Sequence, residues 1–318
     1  MKVQSVLLLL SMILISSCSI NQMATKAVAD ALTGSGSTEV FTGDSDPELV
    51  GDAMPFAIKM YEALLSQQPR HQGLILTTGS LFIMYANAFI QGPTQRLPPN
   101  RFAEREPALE RAKKLYLRGA DLLTAGLDLK YPGFSTAYQE GTQNAYLARM
   151  KKADVPSLYW ITAGVLSAYS LNPFDMDQGV RLPEVTALIH RAYELDPDFN
   201  NGAIDEFYVL FYAALPPGLG GDKSKVDTHF NLALKKSQDR LAGPYVSYAE
   251  AVCIPAQDYD TFKKYLETAV ALDVDADPAN RLVNILAQRK ARYLLDMASN
   301  YFFDLDPGDW GDQEGEEK

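Results

Sequence analysis

The sequence is poor in the residues that most enzyme chemistry and most metal sites need. Its 318 residues include three histidines and two cysteines. His71, His190 and His229 stand far apart; none lies in an HExxH pattern or beside a cysteine pair, which argues against a metal centre. No GxSxG elbow and no phosphate-cradling glycine loop occurs. The stretch Gly218-Leu-Gly-Gly-Asp-Lys has glycines but no Gly-Lys-Ser or Gly-Lys-Thr ending, and Asp222 reads as the N-cap of the next helix. Cys253, in YAEAVCIP, has no neighbour to lower its pKa and reads as a buried, inert thiol. Positive charge is scarce as well: 29 Lys and Arg against 40 Asp and Glu give a net charge of −11, which excludes the basic face that nucleic acid requires. The chain therefore reads as a binding protein, with no catalytic residue, no metal and no cofactor.

The N-terminal apolar run is also short. Val6–Ile15 is interrupted by Ser11 and is half the length needed to cross a bilayer, where about 20 apolar residues are required. Behind Lys2 it has the form of a signal-peptide core, and Ile15-Ser-Ser-Cys18 closes it as a bacterial lipobox. Residues 1–17 are expected to be removed and Cys18 to carry lipid, palmitate included. Several acyl chains make a stable anchor, each CH₂ adding about 0.8 kcal/mol. This predicts a periplasmic protein that meets the membrane only through its anchor, at the outer membrane rather than the inner. With Cys18 acylated, Cys253 has no partner and the fold carries no intramolecular disulfide.

Composition divides the rest. Residues 18–45, rich in Ser, Thr, Gly and Ala, read as a flexible tether, with room for a short amphipathic helix over Gln22–Leu32. Residues 304–318 hold seven acids and one lysine and read as a disordered acidic tail. Between them, residues 46–303 show helical periodicity throughout and no alternation long enough for a strand. Asp46-Pro47 has the form of a helix start, and helices are expected over Pro55–Gln68, Gln72–Ile90, Ala108–Leu127, Val155–Leu171, Leu182–Leu195, Phe199–Leu215, Lys223–Leu241, Tyr245–Cys253, Tyr259–Leu272 and Pro278–Tyr301. Three helix endings share an alanine, Ala192, Ala233 and Ala269, and Ala63 in Glu62-Ala-Leu-Leu-Ser offers a fourth. The spacing is that of degenerate, lengthened tetratricopeptide repeats, so the expected fold is all-α: stacked antiparallel helix pairs, an α-solenoid.

Two helices carry candidate ligand-contacting residues. Tyr245 and Tyr248 share a face near Glu250; the stripe reads either as core or as the aromatic wall of a cavity with polar handles. Asn284, Gln288 and Arg292 recur at spacing four and read either as a solvated face or as further handles. Tyr245, Tyr248, Glu250, Asn284 and Gln288 form the candidate ligand cavity.

YANAFIQGP (85–93), RAKKLYLRG (111–119), KKADVPSLYW (151–160), GGDKSKVDTHFNLAL (220–234), PYVSYAEAVCIPAQDYDTF (244–262) and NILAQRKARYLL (284–295), taken with the lipobox, resemble the lipoprotein T component associated with tripartite ATP-independent periplasmic (TRAP) transporters. The resemblance covers about Asp46–Leu295. It implies divergent tetratricopeptide-like repeats, a homotrimer with a cavity or pore through each subunit, and association with the periplasmic solute-binding protein of the transporter. A small, partly apolar organic acid is the ligand it suggests. The alternative is a general cell-envelope scaffold that binds proteins through a concave face.

Overall fold

The computed structural model describes residues 22–34, 36–98, 100–214, 221–303 and 305, with the side chains of 177 and 178 left aside. The signal segment, Cys18, the turn at 215–220 and the acidic tail apart from Leu305 lie outside the described residues. The described residues form helices and turns with no strand, an all-α helical repeat fold. They divide into two compact units. Of the described residues, unit 1 takes those within 22–40 and 48–192, and unit 2 those within 41–47 and 193–305.

In unit 1 the longer helices are α1 (22–32), α2 (Pro47–Gln67), α3 (Gln72–Tyr85), α4 (Phe102–Lys130), α5 (Val155–Leu171) and α6 (Leu182–Leu195), the last running across the boundary. Helix α1 occupies part of the expected tether, and it is packed rather than free. Ala29 is wholly buried, the Tyr61 hydroxyl donates to the Leu32 carbonyl, and His71 Nε2 sits 2.8 Å from Asp30 Oδ1. His71 in turn caps α3, its Nδ1 accepting from the Leu74 N–H. Packed helix thus begins at residue 22, ahead of the expected boundary at 46, because α1 has found an apolar and a polar partner.

Helix α2 begins at the expected Asp46-Pro47 start and runs through Pro55 without a break, so the helix expected from Pro55 is its continuation; α4 begins at Phe102, upstream of the expected Ala108, with Pro107 inside it. The ring removes one backbone donor and restricts the residue before it, and the apolar face that continues through Met54 and Ile58 outweighs this loss in α2.

Helices α3, α4 and α5 pack antiparallel around small residues. A Cβ added to Gly119 would lie 2.6 Å from the Gly79 carbonyl oxygen, and one on Gly79 would lie 2.5 Å from Leu123 Cγ. Gly126 meets Ile75 and Gly164 meets the Tyr116 carbonyl in the same way. The run Gln72–Gln95 is long and apolar enough to span a bilayer, but 61% of that window is buried in the protein, as in a core helix.

In unit 2 the longer helices are α7 (Ala203–Ala214), α8 (Lys223–Ser237), α9 (Gly243–Tyr248), α10 (Tyr259–Ala271) and α11 (Arg281–Asp296). Helices α7 and α8 pair, as do α10 and α11. Asp222 caps α8, accepting from the Ser224 N–H. The repeated alanines Ala192, Ala233 and Ala269 are buried, whereas Ala63 is exposed and does not serve as a fourth equivalent.

Among the described residues each unit contains one π-turn, and the two share a Tyr-Ala-x-Ala sequence. Tyr85-Ala-Asn-Ala leads into Ala86–Gln91 before Gly92-Pro93, and Tyr248-Ala-Glu-Ala leads into Ala249–Cys253 before Ile254-Pro255. The proline explains the widening. It has no N–H for the carbonyl four residues back, and the preceding N–H reaches five back instead, from Gly92 to Asn87 and from Ile254 to Ala249.

The glycine crossing gives a direct test. Gly119→Ala gains about 1 kcal/mol of helix propensity, but the methyl meets a backbone oxygen that cannot rotate away, and such overpacking costs about 1–3 kcal/mol. Urea unfolding should show a net loss of stability, with a lower midpoint and an unchanged slope.

Candidate functional site

The five candidate residues all lie in unit 2, and the structure brings only some of them together. Tyr245 and Tyr248, one turn apart on α9, join Phe230 of α8 and Tyr265 of α10 in a four-ring cluster. Phe230 lies 4.5 Å from Tyr248 and 5.2 Å from Tyr265 between ring centroids, and Tyr248 lies 5.4 Å from Tyr265. The rings are core, part of an apolar group that includes Val246, Ala249, Cys253, Phe262 and Leu266. Their hydroxyls reach its polar edge. The Tyr248 hydroxyl donates to Asp227 Oδ1 at 2.6 Å and accepts from Lys223 Nζ at 3.2 Å, while the Tyr245 hydroxyl donates to Asp239 Oδ1 at 3.4 Å. Burial, with the Asp227 carboxylate alongside, pushes the Tyr248 phenol up to about 12, so it remains a donor at neutral pH. Burial likewise raises the Cys253 thiol to about 12, which fits an inert thiol.

Asn284 and Gln288 are buried, so the solvated-face reading does not hold for them. Their amides finish backbone that helices leave unpaired. Asn284 Oδ1 accepts from the Ala242 N–H and its Nδ2 donates to the Arg240 carbonyl, both at 2.9 Å. Gln288 Nε2 donates to the carbonyls of Ala269 and Leu272 at the end of α10, at 3.2 and 2.7 Å. With their amide groups committed in this way, the two residues act as struts that hold α9 and α10 against α11.

Glu250 leads to a set of residues that the sequence reading did not single out. The π-turn places it beside α11, where Lys290 Nζ meets its Oε2 at 2.5 Å. Lys290 also acts electrostatically on Glu206 of α7, whose Oε1 accepts from the Ser247 hydroxyl at 2.8 Å. Glu206, Ser247, Glu250 and Lys290 thus form a half-buried polar line in unit 2. Burial raises the Glu206 carboxyl above its ordinary value, and Ser247 and Lys290 offset this only in part. A signal for Glu206 existed: Asp205-Glu206 interrupts an otherwise apolar helix, AIDEFYVLFYAA. Asp205 plays a different part. Fully buried, it accepts from Lys236 Nζ and from the Tyr193 hydroxyl and lies 2.8 Å from His229 Nδ1, fastening α8 to α7.

Among the described residues no group of three or more His, Cys, Asp or Glu is placed to hold a metal. Two surface clefts occur in unit 1, one lined by Glu62, Phe82, Arg118 and Leu122 and one by Pro69, Ile75, Leu129 and Ser135, and neither includes a candidate residue.

The family model described as TRAP transporter T-component matches residues 43–302. The chain belongs to that family. The match spans nearly all of the described helical body, from the turn before α2 to the end of unit 2. The chain is also similar to an uncharacterized protein of Treponema pallidum (strain Nichols), 37% identical over 274 residues that make up 84% of each chain. As a T component it is an accessory part of a TRAP transporter rather than a member of an enzyme family.

The raised carboxyl has a consequence for stability. The folded state holds a proton on Glu206 at pH values where the unfolded chain, near 4.5, has lost it. Stability from this group is therefore greatest below 4.5 and declines as pH rises towards the folded value. Glu206→Gln should stabilise the protein at neutral pH and flatten that decline, as read from urea unfolding midpoints between pH 4 and 8, a span of about four units chosen to bracket the carboxylate range.

Proposed function

We propose that this T component is a lipid-anchored periplasmic docking protein for the solute-binding component of its TRAP transporter, and that it receives or passes a small, partly apolar organic acid. The observation that carries the reading is the family match over 43–302, which covers the helical body rather than a fragment of it. A stacked helical repeat offers a large preformed surface and loses little conformational freedom on binding. The line of Glu206, Ser247, Glu250 and Lys290 offers polar contacts for such an acid, with Lys290, which Glu250 holds in place, as the cation. The lipobox supports acylation at Cys18, which would keep the partner near the membrane and raise its effective concentration without a new contact. In this reading the body assembles as a homotrimer.

Fractionation of cells that express the transporter tests anchor and docking together. Wild-type membranes should retain the solute-binding protein and the chain should incorporate labelled palmitate. With Cys18→Ala both proteins should leave the membrane still bound to each other, and the released complex should sediment with three copies of this chain. Release of the chain without its partner, using folded proteins, would remove docking from the account.

A further inference from the structure

In unit 1, four buried polar atoms in one locus lack a hydrogen-bond partner: the Tyr138 hydroxyl, Gln143 Oε1, Arg181 Nε and Glu184 Oε2. Tyr138 is 1% exposed and Gln143 is 3% exposed. Buried polar groups are almost always paired, so four unpaired ones in one place call for an explanation. Their positions are fixed by contacts that leave these atoms unused. Tyr138 lies on the short helix Phe134–Gln139 with its ring 5.9 Å from Phe134. The Arg181 guanidinium lies over the face of the Tyr138 ring, 5.0 Å from its centroid, and close enough to act on the hydroxyl. Gln143 Nε2 donates to the Glu184 carbonyl at 3.4 Å. Gly141, at φ +71°, brings the loop so close that a side chain there would lie 2.9 Å from Glu184 Oε1.

The unused atoms divide into two donors, on Tyr138 and Arg181, and two acceptors, on Gln143 and Glu184. They also divide by charge, with a guanidinium on the donor side and a carboxylate on the acceptor side. A bare anion such as phosphate would meet the Glu184 and Gln143 oxygens, and a simple amine would meet Arg181. A ligand with an anionic end and a cationic end answers all four groups at once. We propose that Tyr138, Gln143, Arg181 and Glu184 form a binding site for a small zwitterionic α-amino acid. Its carboxylate lies towards Arg181 and Tyr138 and its ammonium towards Glu184 and Gln143. Burial pushes the Tyr138 phenol up to about 12, so it donates at neutral pH. Asp121 of α4 acts electrostatically on Arg181 and Tyr138 and balances part of the guanidinium charge. The site lies wholly within unit 1 and stands independently of the docking and organic-acid reading.

Isothermal titration of the full chain tests this, with glycine, L-alanine and L-serine as probes and acetate and methylamine as their charged halves. At least one zwitterion should bind one-to-one, and each half should bind about tenfold or more weakly, since a hydrogen bond to a charged group is worth roughly that factor. Tyr138→Phe and Glu184→Gln should each weaken the zwitterion by about tenfold. Neither should lower the unfolding midpoint of the free protein, because each alters an atom with no partner in the fold. Failure of all three zwitterions to bind the wild-type chain would overturn the proposal, whatever the variants do. So would equal binding of acetate or methylamine, unchanged binding in both variants, or a glycine-soaked crystal in which ordered water alone meets the four atoms.

Discussion

Close approach of helices at small residues is the constraint on which the rest of the structure depends. In unit 1 the α3–α4–α5 core requires Gly79, Gly119, Gly126 and Gly164, where a methyl group would meet backbone oxygen or a packed side chain. In unit 2 the same part is played by Ala233, Ala249, Ala269, Ala291 and Ala298, nearly all fully buried. Such contacts let backbones approach closely, and the large side chains around them then fill the space at interior density. Among the described residues no disulfide assists, since Cys253 is buried and unpaired.

Polar groups inside the protein do two different jobs. Asn284, Gln288 and Asp205 are bound to their surroundings on every side the structure shows, and they define where helices end and which neighbours they meet. Glu206 and the Tyr138 locus are the opposite case, with a carboxyl kept protonated beyond its usual range in one and unpaired donors and acceptors in the other. A fold tolerates such groups when something beyond folding uses them, and perturbed or unsatisfied groups are accordingly candidates for function.

Helix positions were legible because apolar periodicity is a local property. Val155–Leu171 and Leu182–Leu195 match the expected bounds, and the all-α class follows from the pattern alone. The errors have physical causes. Pro55 looks like a helix start, yet it sits within a helix that begins at Pro47 and whose packing compensates for one lost donor. Helix α1 was partly read as tether because its composition is small and polar, while its anchoring comes from Tyr61 and His71, some thirty to forty positions away. The candidate site shows the same limit. Periodicity puts Tyr245 and Tyr248 on one face, but it cannot say that Asn284 faces the Arg240 and Ala242 backbone. Nor can it pair Glu250 with Lys290 across 40 positions. Tertiary pairing over such separations leaves no mark in a local window.

In the proposed function, the helical body of this TRAP transporter T component works through a preformed binding surface. Hydrogen–deuterium exchange of this chain, alone and with the solute-binding protein of its transporter, tests it most directly. The account predicts a contiguous set of peptides within 43–302 that exchange more slowly in the mixture, while the remainder of the body keeps its free-state rates because no refolding accompanies binding. Identical exchange with and without the partner at saturating concentration would contradict it, as would protection confined to the acidic tail.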